Sequence, residues 1–134
     1  MARFGIDAVT FLHLARDVHP LHPDHQLVAP NSLRSRALQI LLGEAREGLI
    51  DERTALRVHD HLTGLKVRLL GDRVSRRVAW QIAMEHDWPT LEMAECLAVT
   101  RLQADALVTI DPAMEAAAFG IVPVVPLRRL FEPE

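Results

Sequence analysis

Apolar and polar positions change period several times along this chain, and each change predicts an element. Arg3-Phe4-Gly5-Ile6-Asp7-Ala8-Val9 reads as a short strand running into an aspartate, and Phe11, Leu12, Leu14 and Ala15 carry the first turns of a helix behind it. Residues 17–30 contain Pro20, Pro23 and Pro30. Proline removes a helical hydrogen bond, so this stretch is expected as a surface connection. Asn31 is a good N-cap for a helix over 32–47, where Leu33, Ala37, Leu41 and Ala45 recur at helical spacing and Leu38 and Leu42 widen the stripe. Asp51 caps a second helix to about Thr63, burying Ala55, Leu56, Val58 and Leu62. Residues 65–70 alternate apolar with basic, as a half-buried strand does. Gly71 turns the chain, and Asp72 caps a third helix with Val74, Val78, Ala79, Ile82 and Ala83 inward, Arg73, Arg76 and Arg77 outward and Trp80 packed at its edge.

Thr90 is the expected N-cap of the next helix, which runs to Gln103 with Leu91, Ala94, Leu97, Ala98 and Leu102 as its inner stripe. A short turn leads into an apolar strand that stops on Asp111. Pro112 then opens a brief helix to Phe119, Gly120 ends it, residues 121–125 form a last strand and Leu127 to Phe131 close the chain. Strands alternating with helices call for an α/β fold: a short parallel sheet of about four strands covered by helices on both faces. The 134 residues suit a single domain, 1–134, built round one core.

Composition narrows the function only by exclusion. Charged residues at 25% and apolar ones at 49% are ordinary for a globular chain, and a net charge of -3 gives no bulk attraction to phosphate. Any nucleic-acid contact must therefore come from a local basic face. The single cysteine, Cys96, has no partner for an internal disulfide, and no apolar run approaches the roughly 20 residues that span a bilayer. The expectation is a soluble, cytoplasmic protein with no membrane contact. Phosphate-cradling glycine loops and the Gly-x-Ser-x-Gly elbow are both missing from the sequence.

What remains is acidic. Asp7 and Asp111 each end a predicted strand, and ligands of parallel sheets gather at the carboxyl ends of strands. Two carboxylates meeting there repel one another, and a hard divalent cation such as magnesium relieves this while activating water for displacement at phosphorus. Glu92 and Glu95 stand three apart near the start of the fourth long helix, where they either join such a site or simply favour the helix dipole. Arg34, Arg36 and Arg46 form a solvated face or touch RNA phosphates. His19, His22 and His25 recur at three-residue spacing, but the intervening prolines leave a metal geometry unspecified and favour a surface connection.

Ile6-Asp7-Ala8, the helical middle, and Ala94-Glu95-Cys96-Leu97-Ala98-Val99 leading to Leu107-Val108-Thr109-Ile110-Asp111 resemble a PIN domain, specifically the VapC toxins of bacterial toxin-antitoxin pairs. The resemblance implies a three-layer α/β sandwich and an endoribonuclease dependent on Mg2+ or Mn2+ that cuts structured RNA such as tRNA. It also implies a homodimer silenced by a VapB-type antitoxin. Residue by residue, the family's first acid falls on Asp7 and its last on Asp111, with Thr109 at the hydroxylic position two places earlier. The second acid falls near Ser35 and Arg36, which cannot bind a cation. The third falls on Met93, with Cys96 at the family's tyrosine; Glu92 is one residue off, about 100° round the helix.

Two expectations follow. In one, Asp7 and Asp111 hold the ion, Glu92 or Glu95 completes its shell or orients water, and Thr109, Arg34 and Arg36 face the RNA. In the other, the depleted cluster makes the chain a PIN-like module that binds antitoxin or RNA without cutting. Phe11, Leu12, Leu41 and Leu42 are either a groove for the antitoxin or core, and an arginine from that partner is expected to neutralise the carboxylates in place of metal.

Overall fold

A computed structural model describes residues 2–17 and 20–133. Its centre is a five-stranded, all-parallel sheet in the order β3-β2-β1-β4-β5. The strands are β1 (Ala2–Ile6), β2 (His25–Pro30), β3 (Arg68–Leu70), β4 (Ala106–Val108) and β5 (Val124–Val125). Helices α1 (Ala8–Arg16), α2 (Leu33–Arg46) and α3 (Glu52–Gly64) cover one face; α4 (Arg73–Glu85), α5 (Glu92–Gln103) and α6 (Pro112–Ala118) cover the other, giving the three layers expected. A short 3-10 turn, Leu127–Leu130, follows the last strand.

Strand alternation divides the core. Phe4 and Ile6 of β1 with Leu27 and Ala29 of β2 face α1, α2 and α3, where they meet Phe11, Leu33, Leu41 and Leu62. Leu107 of β4 points the other way, into Ile82 of α4 and Leu97 of α5. Gly5 lies against α5 so closely that a Cβ there would sit 1.9 Å from the Thr100 hydroxyl. Only glycine lets the sheet and this helix approach so far.

Asp51 and Asp72 cap α3 and α4 as expected, accepting from the backbone N–H of Thr54 and Ser75 at 2.7 and 2.8 Å. Several expectations need correcting. The connection foreseen over 17–30 contains β2, a central strand. Its Leu27-Val28-Ala29 run is buried on both faces, and its proline stands at the strand's last position. The strand foreseen over 65–70 shortens to three residues and that over 121–125 to two; α5 is capped by Leu91 rather than Thr90. Leu38, Leu42, Leu56, Val74, Leu91 and Leu102, assigned inward by periodicity, are exposed, and so is Trp80 at 61%. The apolar stripes are wider than the sheet beneath them. No helix among the described residues is long and apolar enough to cross a membrane.

Candidate functional site: an acidic cleft at the switch point of the sheet

The strand order reverses direction at β1. The chain moves outward to β2 and β3 on one side, then returns to place β4 and β5 on the other. The carboxyl ends of β1 and β4 therefore diverge into a crevice of the kind that binds ligands in open parallel sheets. Ile6 pairs with Val108, so Asp7 and the Thr109-to-Asp111 segment leave the sheet side by side. Both aspartates, with Arg36, Glu92, Met93 and Cys96, line one cleft of about 270 Å³.

Asp7 is held from two directions. It precedes α1, and the Thr10 hydroxyl one turn on donates to its Oδ1. The same Thr10 oxygen accepts the Ile110 N–H at 3.0 Å, tying the start of α1 to the segment after β4. Thr109, also buried, lies close enough to Asp7 to favour its charged form, and its hydroxyl accepts the Asp111 N–H at 3.1 Å. Burial pushes the Asp7 carboxyl above its ordinary pKa; the Thr10 and Thr109 hydroxyls oppose this, and the charge of Asp111 adds to it. Asp111 is half-buried and caps α6, accepting the Ala113 N–H at 3.0 Å through Oδ1.

Arg36 is the unexpected member. From α2 it reaches the first turn of α5, where NH1 donates to the Glu92 carbonyl at 2.7 Å and NH2 to Glu95 Oε1 at 2.7 Å. Its Nε stands 4.0 Å from Glu92 Oε1. The guanidinium thus neutralises the α5 glutamates, as an incoming partner's arginine was expected to neutralise the carboxylates. Glu95 is occupied by this bridge, whereas Glu92, its side chain 66% exposed, stands at the mouth of the cleft. Met93 is half-buried and packs into the core beside α4, so the position of the family's third acid contributes only surface. Cys96 is buried, its Sγ 3.5 Å from the Ile6 carbonyl, and burial pushes its thiol well above the ordinary range.

Not every expected residue joins the cleft. Arg34 turns away, donating to the Leu65 carbonyl at 2.8 Å with its guanidinium 5.9 Å from the Phe11 ring centroid, and has no part in the lining. Thr109 holds the Asp111 backbone and has no part in the lining of the cleft. Phe11, Leu12 and Leu41 are core, and Leu42 alone of that proposed groove is exposed. Glu44, the acid about two turns along α2 from Arg36, does not stand in for the missing second acid: it pairs with Arg16 through contacts of 2.6 and 2.7 Å. His22 and His25 lie at the other end of the sheet, and His19 falls outside the described residues. Thr10 was missed, although Asp-x-x-Thr at a helix start is a readable signal: the third helical position faces back to the N-cap.

The donor set bears directly on metal. Among the described residues no group of three or more His, Cys, Asp or Glu side chains converges as a metal site. Asp7 and Asp111 remain as a pair, and one or two carboxylates together with substrate phosphates are a sufficient set for magnesium. No protein-family model matches this chain, and no curated protein matches it.

Proposed function

We propose that the chain is a divalent-metal-dependent endoribonuclease of the PIN type, acting on structured RNA such as tRNA and restrained by a VapB-type antitoxin. The observation that carries this reading is the meeting of Asp7 and Asp111, 104 positions apart, in one cleft at the topological switch point. Asp7 and Asp111 would hold Mg2+ or Mn2+, which when bound with the RNA phosphate supplies Lewis-acid polarisation and a nucleophilic water. The chain's own groups do the rest. Thr10 fixes the Asp7 carboxylate, Thr109 holds the Asp111 backbone, Glu92 at the mouth accepts a proton from water, and Arg36 is close enough to meet a phosphate oxygen once its hold on Glu95 loosens. Cytoplasmic action and a homodimer belong to the same proposal.

The test is a Mg2+-titrated cleavage assay on tRNA, with Asp7→Asn and Asp111→Asn as controls. Metal-dependent products that vanish in both variants support it. No metal-dependent product from homogeneous wild-type protein overturns it. Arg36 favours a second reading, a module that binds antitoxin or RNA without turnover, because a cation is already built into the cluster. That reading predicts RNA binding with no product at any metal concentration.

A further inference from the structure

At the opposite, amino end of the sheet lies a second cleft, of about 800 Å³ against about 270 Å³ for the acidic one. Its lining includes Arg3, His22, His25, Gln26, Lys66 and Arg68. The register explains the convergence. Arg3 of β1 pairs with Gln26 of β2, and Arg68 of β3 pairs with Val28, two residues on, so all three point to the same face; Lys66 stands two residues ahead of Arg68. Adjacent strands are about 4.8 Å apart, so these groups form a row across three strands.

The charge is unusual for this protein. The chain carries a net -3, yet Arg3, Lys66 and Arg68 converge here, and their side chains make no ion pair among the described residues. Two acids stand beside the cleft without pairing with its cationic side chains: Asp105 accepts the Arg3 backbone N–H at 2.9 Å, and Asp24 lies 3.6 Å from His22 Nδ1. His25 lines the same cleft from the opposite face of β2, its ring 5.1 Å from that of Phe4. Its Nε2 donates to the Glu132 carbonyl at 2.6 Å, while Nδ1 is buried with no hydrogen-bond partner among the described residues.

We propose that this cleft binds a phosphate-rich anion, either the backbone of a nucleic-acid strand or a free nucleoside polyphosphate. Lys66, Arg68 and Arg3 contact the phosphates, and the His22 ring, 5.4 Å from that of His25, offers a face for a base. The volume is in the range of ligand pockets and exceeds what one phosphate needs. This inference does not rest on the nuclease reading. Asp7 is four residues along β1 from Arg3, about 13 Å away.

The experiment is fluorescence anisotropy of a labelled single-stranded RNA oligonucleotide with the full chain, in chelator so that no metal-dependent cutting intervenes. Three phosphate contacts on a single strand predict a log-log salt slope of about -2. The Lys66→Glu/Arg68→Glu variant is expected to weaken binding about 10-fold or more, each lost contact being multiplied by the introduced repulsion. Both residues are exposed, so its thermal melt should match wild type; if it does not, Gln26→Glu places a charge on the same floor. Displacement by tripolyphosphate as readily as by unlabelled RNA assigns the cleft to a free polyphosphate, and displacement by RNA alone assigns it to a strand. Affinity unchanged in the charge-reversal variants, or no salt dependence, overturns the proposal.

Discussion

Arg36→Ala removes the bridge between α2 and α5, and its cost follows from how far the pair is withdrawn from water. The Arg36 and Glu95 side chains are 25% and 27% exposed, between the regime of exposed pairs, about 0.2–1 kcal/mol, and that of buried pairs, where losing one partner costs about 3–5 kcal/mol. A coupling energy of about 1–2 kcal/mol for Arg36 with Glu95 is the interpolated value. Arg36 also donates to the Glu92 carbonyl, a charged hydrogen bond that brings the total for Arg36→Ala to about 2–3 kcal/mol. For a chain of this length about 1 kcal/mol moves Tm by about 4 °C, so the variant should melt about 8–12 °C lower.

The assay is a double-mutant cycle of Arg36→Ala and Glu95→Gln, by urea unfolding in metal-free buffer. Glu95→Gln keeps an oxygen acceptor and removes only the charge. Single and double variants that add to within about 0.3 kcal/mol would show that the bridge is not made in solution. Glu92 and Glu95 would then be tolerated at the start of α5 without compensation from Arg36. Arg36→Glu extends the test to function: it exchanges the built-in cation for a carboxylate facing Glu92 and Glu95. Mn2+ binding, followed by calorimetry, should tighten relative to wild type while metal-free stability falls.

Asp7→Asn should stabilise the fold at neutral pH. Because burial raises the Asp7 pKa above its unfolded value, the native state holds the proton more tightly. Stability therefore falls as pH rises from the unfolded pKa of 3.8 through the higher folded one, and stays lowered above it. The advantage of asparagine should disappear as pH drops below that window; urea titrations at neutral and acid pH check this, and a destabilised variant at pH 7 would contradict it. Gly5→Ala should cost about 3 kcal/mol, the upper end for overpacking, because the new Cβ meets Thr100 in a buried seam; adding Thr100→Ala should recover part of the loss in the same melts. Cys96 should resist alkylation in the native protein and react at once in denaturant, as its buried thiol gives up its proton only with difficulty; rapid native-state labelling followed by mass spectrometry would refute its placement.

Which parts of this molecule were legible depended on whether the signal was local. Helix caps are local, so Asp51 and Asp72 announced α3 and α4, and the strand-end aspartates announced the cleft. β2 was illegible because Pro20, Pro23 and Pro30 dominate its surroundings, and only the sheet shows that Leu27, Val28 and Ala29 are covered on both faces. The exposed Leu38, Leu42, Leu56 and Val74 failed for the complementary reason: periodicity marks an apolar stripe, but the width that is covered is set by the partner.

The acidic site divides in the same way. Asp7 and Asp111 could be placed from strand ends alone, whereas Arg36 and Glu95, 59 residues apart, meet only because α2 and α5, on opposite faces, both begin at the carboxyl edge of the sheet. That pairing changes the meaning of the missing acids. A glutamate at position 36 would add negative charge to a cleft lined by Asp7, Asp111 and Glu92 and would face Glu95 in the neighbouring one, and a metal would be needed to compensate it. Arginine there supplies the compensation internally, so Asp7 and Asp111 are the carboxylates without a cationic partner in the cleft. A site of this kind has less to gain from binding a lone divalent ion than from binding the ion together with phosphate oxygens. Its metal affinity should accordingly be weak without RNA and rise when RNA is present, a coupling that calorimetry of the wild type with and without a non-hydrolysable RNA analogue would measure directly. Tight Mn2+ binding by wild-type protein alone, unchanged by the analogue, would show that Arg36 does not neutralise the cluster and that a full set of metal ligands assembles by some other route.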